Sequence, residues 1–568
     1  MNRFWRTNGV SSARVLVVLV LAIVGPGSVA RAQQLAPARP GSFTGDCATV
    51  AGRLAGLTDT RIVAASTVPA GTLNVGGTAV PEHCLVTGRM RERTSAVDGN
   101  SYAIGFEMRL PKAWNGRFLH QGNGGADGNV VPATGSTGGG PLTHALLQGF
   151  AVLSSDAGHA ASQNLAFGLD PQARLDYGYQ AVGTLTPMAK SVIDRVYGKG
   201  PDRSYFAGCS NGGRHALIAA SRYADQYDGI LAGAPGYNLP KAAVANIFGA
   251  QRYASVATNP ADLATGFTPA ERATLSASVL ARCDALDGAA DGLIQDTAAC
   301  QATFSITRDV PTCSDARDGS CLSPAQKTAI GAIFSGATTG SGAPVYASFP
   351  YDAGHGSRGI GFWEFIAPLQ LDSGAVGHVF KVPPEPVAGF NGPAFALGAN
   401  IDTLATQIGA TNATYRESSL SFMTPPDVGN LEAVKRRGGK VIVYHGVSDP
   451  IFSWHDTVSW WNAVKARNGG DPSDFARVYP VPGMDHCGGG PSTDQFDMLS
   501  ALVAWVEQGQ APDRVIAQAR GAGNPGGVNP EVPAGWSPSR MRPLCRYPQV
   551  ARYNGSGSIE DAANFSCR

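Results

Sequence analysis

The stretch FAGCSNGGR, Phe206 to Arg214, sets a serine in a Gly-x-Ser-x-Gly frame directly after a short apolar run, Tyr205 to Ala207. HALIAASRYADQY follows with the spacing of a helix. Strand, sharp turn and helix are the setting in which such a serine becomes a nucleophile. The turn is tight enough to need glycine on both sides, and it lifts the hydroxyl above the sheet edge beside a helix start. Without that setting the frame is a common chance match in a chain with 72 glycines.

A serine hydroxyl attacks poorly until a base takes its proton. On a strand–turn–helix scaffold of this kind the acid and then the histidine follow the serine in chain order. Asp449 ends the apolar run KVIVYHGVSDP, and His486 lies in the loop GMDHCGGG. Asp456 and Asp485 are the rival acids, and His445 and His455 the rival bases. A developing oxyanion also needs donors. The N–H of Asn211, just after the serine, is one. The loop HQGNGGADG offers the other, with Gly124 as first choice and Gly125 as alternate, against the reading of a plain glycine turn.

Other runs extend the pattern. YAIGFEMRLP, GRFLHQ, GFAVLSSD and DGILAG read as strands, and about Tyr179 to Tyr197 as a helix that Pro187 should kink. Strands alternating with helices predict an α/β fold with a mostly parallel sheet covered on both faces. The alternation fades between about Asn238 and Val434 and resumes at Lys440. The stretch between holds four cysteines and the aromatic cluster Phe362, Trp363 and Phe365, so it reads as an inserted domain rather than a linker. The expected organisation is a catalytic domain over residues 33–237 and 434–568 with an insertion over 238–433.

Residues 1–32 are expected to be a signal peptide. Arg3, Arg6 and Arg14 precede the apolar run Val15 to Val24, and Ala30 and Ala32 form the cleavage frame. The run is short for a membrane anchor. Export to the periplasm or beyond, with no membrane attachment after cleavage, follows from this reading. A net charge of +1 offers no basic field to nucleic acid or anionic lipid. No internal repeat marks a propeller, as a peptidase on this core would carry. The oligomeric state is open.

Ten cysteines in an exported chain favour disulfides. Neighbours in sequence, Cys47 with Cys84, Cys283 with Cys300, Cys313 with Cys321 and Cys545 with Cys567, close short loops at low entropic cost. Cys209 and Cys487 then stand over, one before the serine and one after the histidine. Spacing does not fix the connectivity, and a free buried Cys209 is the alternative. A bridge between them would hold the histidine loop against the serine turn.

The Cys-Ser, Asp and His-Cys arrangement resembles the tannase/feruloyl esterase family, which includes a bacterial mono(2-hydroxyethyl) terephthalate hydrolase. The resemblance rests on NGRFLHQGNGG, YGKGPDRSYFAGCSNGGR, GILAGAPG, CDALDGAADGLI, HGVSDP and DHCGGG, spread over nearly all of the chain after residue 32. It implies an α/β-hydrolase core with a large lid inserted after the strand that follows the nucleophile. It implies a Cys209–Cys487 bridge, a Ser210–His486–Asp449 triad, and small-molecule esters of aromatic acids, feruloyl or galloyl among them, as substrates. A non-catalytic binding protein on the same scaffold is the competing reading, and the intact Ser210, Asp449 and His486 argue against it. The resemblance also implies Ca²⁺ in the acidic loop CDALDGAADGLIQD, held by carboxylates of Asp284, Asp287 and Asp291 and carbonyls of Ala289 and Leu293. Clustered hard oxygens suit that ion, although the spacing is not that of an EF-hand and a solvated acidic turn is the alternative. Within the family the acid is open. A terephthaloyl half-ester would need a cation for its free carboxylate, for which Arg358 is the candidate.

Overall fold

The computed structural model describes residue 9, residues 34–140 and residues 144–568. Apart from Gly9, the expected signal peptide lies outside the described residues.

Nine strands form the central sheet: β1 (Thr60–Val68), β2 (His83–Thr94), β3 (Ser101–Pro111), β4 (Arg117–Gly122), β5 (Ala151–Ser155), β6 (Arg203–Cys209), β7 (Gly229–Gly233), β8 (Lys440–Gly446) and β9 (Ala476–Val481). Their spatial order is β9-β8-β7-β6-β4-β5-β3-β2-β1. From β9 to β5 every neighbouring pair is parallel. The β5–β3, β3–β2 and β2–β1 pairs are antiparallel. The expected α/β class with a mostly parallel sheet holds. Three strands go beyond those expected from sequence: β1, β2 and β9. The antiparallel wing has a physical reason. β7 and β8 are buried at every residue, as strands covered on both faces must be, whereas β1 at the sheet edge is exposed or half-buried throughout.

Alternate residues along the strands feed two apolar layers. Phe206, Ile230, Val441 and Val443 pack on one face with α1 (Ala181–Tyr197), α2 (Asn211–Arg222) and α6 (Trp454–Arg467). Tyr205, Ala207, Leu231 and Ile442 pack on the other with α7 (Met498–Gln508). Helix α1 runs through Pro187 as helix and stops at Gly198, which takes φ 74°.

Residues 234–439, between β7 and β8, form helices and loops, including α3 (Leu239–Ala254), α4 (Pro269–Cys283) and α5 (Arg358–Phe365). Among the described residues their only ladder contacts are isolated bridges, Thr312–Leu322 and Thr338–Pro344. Local sequence sets α4. Thr268 caps its start, Pro269 occupies the first helical position where no N–H is needed, and Glu271 completes a reciprocal capping box. The aromatic cluster divides on α5. Phe365 is buried edge-on to Tyr253 at 4.9 Å, Trp363 is half-buried, and Phe362 is 46% exposed.

All ten cysteines are paired: Cys47–Cys84, Cys209–Cys487, Cys283–Cys300, Cys313–Cys321 and Cys545–Cys567. The Cys209–Cys487 bridge closes 278 residues of chain. On the chain-entropy model a loop of that size contributes at most about 5 kcal/mol.

The turn after β6 is built by backbone contact. Ser210 sits at φ 66°, ψ −128°, a strained conformation for a residue with a side chain. A Cβ on Gly208 would stand 2.5 Å from the carbonyl oxygen of Gly122, and one on Gly212 would stand 2.2 Å from the same atom. Both frame glycines are therefore required by the approach of β4. Replacing Gly212 with Ala should destabilise the fold by about 1–3 kcal/mol through overpacking against backbone that cannot swing aside. A denaturation midpoint unchanged from the parent protein would contradict this account.

Candidate functional site

Ser210 stands at the C-terminal end of β6, half-buried. Its Oγ lies 2.7 Å from His486 Nε2, and His486 Nδ1 lies 2.7 Å from Asp449 Oδ2. A carboxylate only accepts, so Nδ1 carries the proton and donates. Nε2 is then left with its lone pair and accepts the Ser210 hydroxyl. Asp449 leaves the end of β8, and its other oxygen accepts from the N–H groups of Ile451 and Phe452, both at 3.0 Å. Burial alone would raise its pKa. His486 and His445 reverse that and hold the carboxyl well below the usual carboxylate range. The carboxylate therefore stays charged and orients the imidazole.

The rivals take other places. His445 Nε2 donates to Phe452 O at 2.9 Å and lies 3.3 Å from Asp449 Oδ2, so it backs the carboxylate and stays clear of the serine. Its order in sequence could not reveal this second partner. His455 bonds Ser348 Oγ, Asp456 accepts from Asn238, and Asp485 accepts the Ser357 hydroxyl. Trp363 and Phe452 present rings near-perpendicular to His486, at 5.0 and 5.3 Å.

Asn211 opens α2, so its N–H is one of those at a helix start without an intrahelical acceptor. An ideal Cβ on Gly124 would lie 3.7 Å from Ser210 Cβ, which places that loop residue directly beside the nucleophile. Gly125, at φ 63°, lines the adjoining cavity.

A buried network that sequence reasoning missed joins these two donors. Asp127 Oδ2, three residues beyond Gly124, accepts from Asn211 Nδ2 at 2.8 Å and from His215 Nε2 at 2.9 Å. Arg214 Nε donates to Asn211 Oδ1 at 2.6 Å, and its other nitrogens hold the carbonyls of Tyr177 and Gly178. Burial pushes Asp127 up to about 7 and holds His215 well below its usual value, so the imidazole is neutral and donates. The only clue in sequence was the adjacency of Asp127 to the glycine loop.

A cavity opens beside Ser210 and Asn211. Trp363, Phe380, Phe452, Leu165 and Leu239 line it, together with Asp372. Arg358, the candidate clamp, is exposed at the first residue of α5 and is not part of that lining.

The acidic loop is bound up in its own backbone. Asp284 accepts from Asp291 N and Gly292 N, Asp287 from Ala289 N and Gln295 N, and Asp291 Oδ1 from Leu293 N. Arg542 pairs with the other Asp291 oxygen. Among the described residues no three His, Cys, Asp or Glu side chains converge as a metal-binding group. The donors are nonetheless all hard oxygen, the kind Ca²⁺ takes. Burial, with a smaller push from Asp291 and Asp284, raises Asp287 to about 7.

Residues 84–568 match the family model described as tannase and feruloyl esterase. The mono(2-hydroxyethyl) terephthalate hydrolase of Piscinibacter sakaiensis is 40% identical over 530 residues, which cover 86% of this chain and 85% of that protein. A probable feruloyl esterase B-1 of Aspergillus fumigatus is 30% identical, over 81% of this chain and 82% of that protein. The crystal structure of feruloyl esterase B from Aspergillus oryzae superposes with a TM-score of 0.72 at 24% identity, covering 92% of this chain and 99% of that one. Carboxylic ester hydrolysis is the activity these matches share, and the chain belongs to the tannase and feruloyl esterase family.

Proposed function

We propose that the protein is an exported serine esterase that cleaves esters of aromatic, phenolic acids through an acyl-enzyme. The observation that carries the reading is the unbroken chain of short hydrogen bonds from Ser210 Oγ through His486 to Asp449, beside a cavity walled by aromatic side chains. In this scheme His486 takes the Ser210 proton as Oγ attacks the ester carbonyl, then returns it to the departing alcohol. Water, activated by the same imidazole, releases the acid. Asp449 orients His486 and compensates the imidazolium. The N–H groups of Asn211 and Gly124 stabilise the oxyanion, with Gly125 as the alternate donor.

Residues 33–237 and 434–568 would form the α/β-hydrolase catalytic domain, and residues 238–433 a lid that supplies most of the acyl pocket. Support for the lid comes from Leu239, Trp363 and Phe380, which reach the cavity from that segment. Five disulfides favour an oxidising compartment, in keeping with the signal peptide expected over residues 1–32. We assign the acidic loop a structural Ca²⁺, on carboxylates of Asp284, Asp287 and Asp291 and carbonyls of Ala289 and Leu293. Its support is the all-oxygen donor set gathered in one loop.

Three outcomes follow. Ser210→Ala should abolish hydrolysis of methyl ferulate, methyl gallate and p-nitrophenyl acetate, and turnover of short aliphatic esters alone by the parent enzyme would exclude the aromatic reading. Thorough chelation should lower the melting temperature and added Ca²⁺ restore it, because a ligand bound only by the folded state stabilises it. An unchanged melting curve, with no calcium by elemental analysis, would remove the metal. Asp127→Ala should lower kcat on the order of 10–100-fold with KM little changed, by releasing Asn211 from the glycine loop. Asp127→Asn, which can still accept from both partners, should recover most of it. Equal kcat in the parent enzyme and both variants would deny Asp127 a positioning role.

A further inference from the structure

Resting on the reading of the cavity beside Ser210 as the acyl pocket, its polar content separates the acids the family resemblance leaves open. The lining is apolar at Leu165, Leu239, Leu371, Val379 and Phe380, and among the described residues it contains no lysine, arginine or histidine. The two arginines that bear on the question are committed or distant. Arg214, beneath Tyr177, spends its nitrogens on Asn211 Oδ1 and on the carbonyls of Tyr177, Gly178 and Met423, at 2.6 to 3.3 Å. Arg358 is exposed and outside the lining.

Asp372 is the one acidic side chain in the lining. It is 3% exposed, and its Oδ2 accepts from Asn246 Nδ2, on α3, at 3.2 Å. A carboxyl buried in an apolar wall with an amide as its partner is a costly feature for a pocket that needs only to hold a ring. Burial pushes it up to about 8, against the pull of Asn246 and with the further push of Glu364. Burial thus favours the carboxylic acid, a form able to donate one hydrogen bond and to accept others. A phenolic hydroxyl meets both capacities. A carboxylate on the acyl ring would be buried with no cation beside it, and with a second acidic group as its neighbour.

We propose that Asp372 determines specificity in the acyl pocket, where its carboxyl hydrogen-bonds a hydroxyl on a neutral aromatic acyl group, and that the pocket rejects acyl groups carrying a free carboxylate. Neutral hydroxylated aromatic acids are the class it takes, and terephthaloyl half-esters are excluded.

The test is a comparison of kcat/KM at neutral pH for two matched pairs: methyl 4-hydroxycinnamate against methyl cinnamate, and dimethyl terephthalate against its charged monomethyl half-ester. The parent enzyme should prefer the hydroxylated ester roughly tenfold, as one buried hydrogen bond allows, and the neutral diester by at least about a hundredfold. Asp372→Leu should bring the first ratio close to one, while Asp372→Asn, which still donates and accepts, keeps a preference of a few-fold. Each ratio is taken within one protein, so a general loss of activity does not imitate the effect. The diester pair needs no variant, which keeps the idea exposed even if Asp372→Leu fails to fold. Ser210-dependent cleavage of the half-ester as fast as the diester overturns the inference alone, as does a hydroxyl preference that survives in Asp372→Leu. Absence of Ser210-dependent cleavage of all four esters overturns the aromatic-ester reading and this inference with it.

Discussion

The close approach of two backbones, at the Gly122 carbonyl and Gly212, is the constraint on which the site depends. It lets the end of β4 lie against the first turn of α2, with no side chain between them. From that contact follow the position of Asn211 beside the glycine loop and the exposure of Ser210 at the strained point of the turn. Strain of this kind persists only where the surroundings over-determine it. Here parallel pairing fixes β6 on both sides, through β4 and β7. The N–H of Ser210 is held by the Gly233 carbonyl at 3.0 Å, and the preceding residue is bonded covalently to the histidine loop.

The bridge and the hydrogen bonds divide the labour of positioning. Cys487 lies at φ 65°, so the histidine loop is itself held in an unusual backbone conformation next to the bond that anchors it. A long glycine-rich loop would otherwise lose much conformational entropy each time His486 met Ser210. Tying it at Cys209 removes that cost in advance. The buried charges are arranged on opposite principles on either side of the serine. Asp449 receives two backbone N–H groups and two histidines and stays ionised. Asp127 receives one amide and one neutral imidazole, and is pushed toward its neutral form. The first environment suits a group that must answer a developing imidazolium, and the second suits one that only has to hold a geometry.

Local patterning made the parallel half of the fold legible. GRFLHQ, RSYFAGC, GILAG and KVIVYHG are continuous apolar runs ended by glycine or polar turns, and each became a strand buried on both sides. The edge strand β1 has too many exposed positions to stand out, and the pairing direction of β2 and β3 is a long-range property that no short window contains. The disulfides follow the same logic. Four close short loops that local spacing suggests, whereas Cys209–Cys487 was suggested only as the pair left over, with a free Cys209 as the alternative, until the resemblance implied it. Within the site, residues that act through a motif were readable. Those that act through convergence, such as His445 behind Asp449 or Asp372 in the cavity wall, were not. Each is an ordinary residue in its own segment, and its role exists only once another element is packed against it.

That division bears on what similarity to relatives can convey. Ser210, His486 and Asp449, whose side chains form the hydrogen-bonded chain, sit at strand ends or in loops that the sheet holds, and so do the glycines that shape the turn. The cavity beside Ser210 draws instead on the segment between β7 and β8, where α3, α5 and the π-helical segment Pro368–Asp372 contribute side chains. Changing one side chain there alters charge and shape, and the glycines whose backbone contacts define the nucleophile turn, Gly122, Gly208 and Gly212, are not part of the cavity lining. Identity accumulated over the scaffold therefore says little about which acid is bound. The sign and hydrogen-bonding capacity of the few polar groups in the wall say more, and in this chain the one charged-type side chain present is an acid.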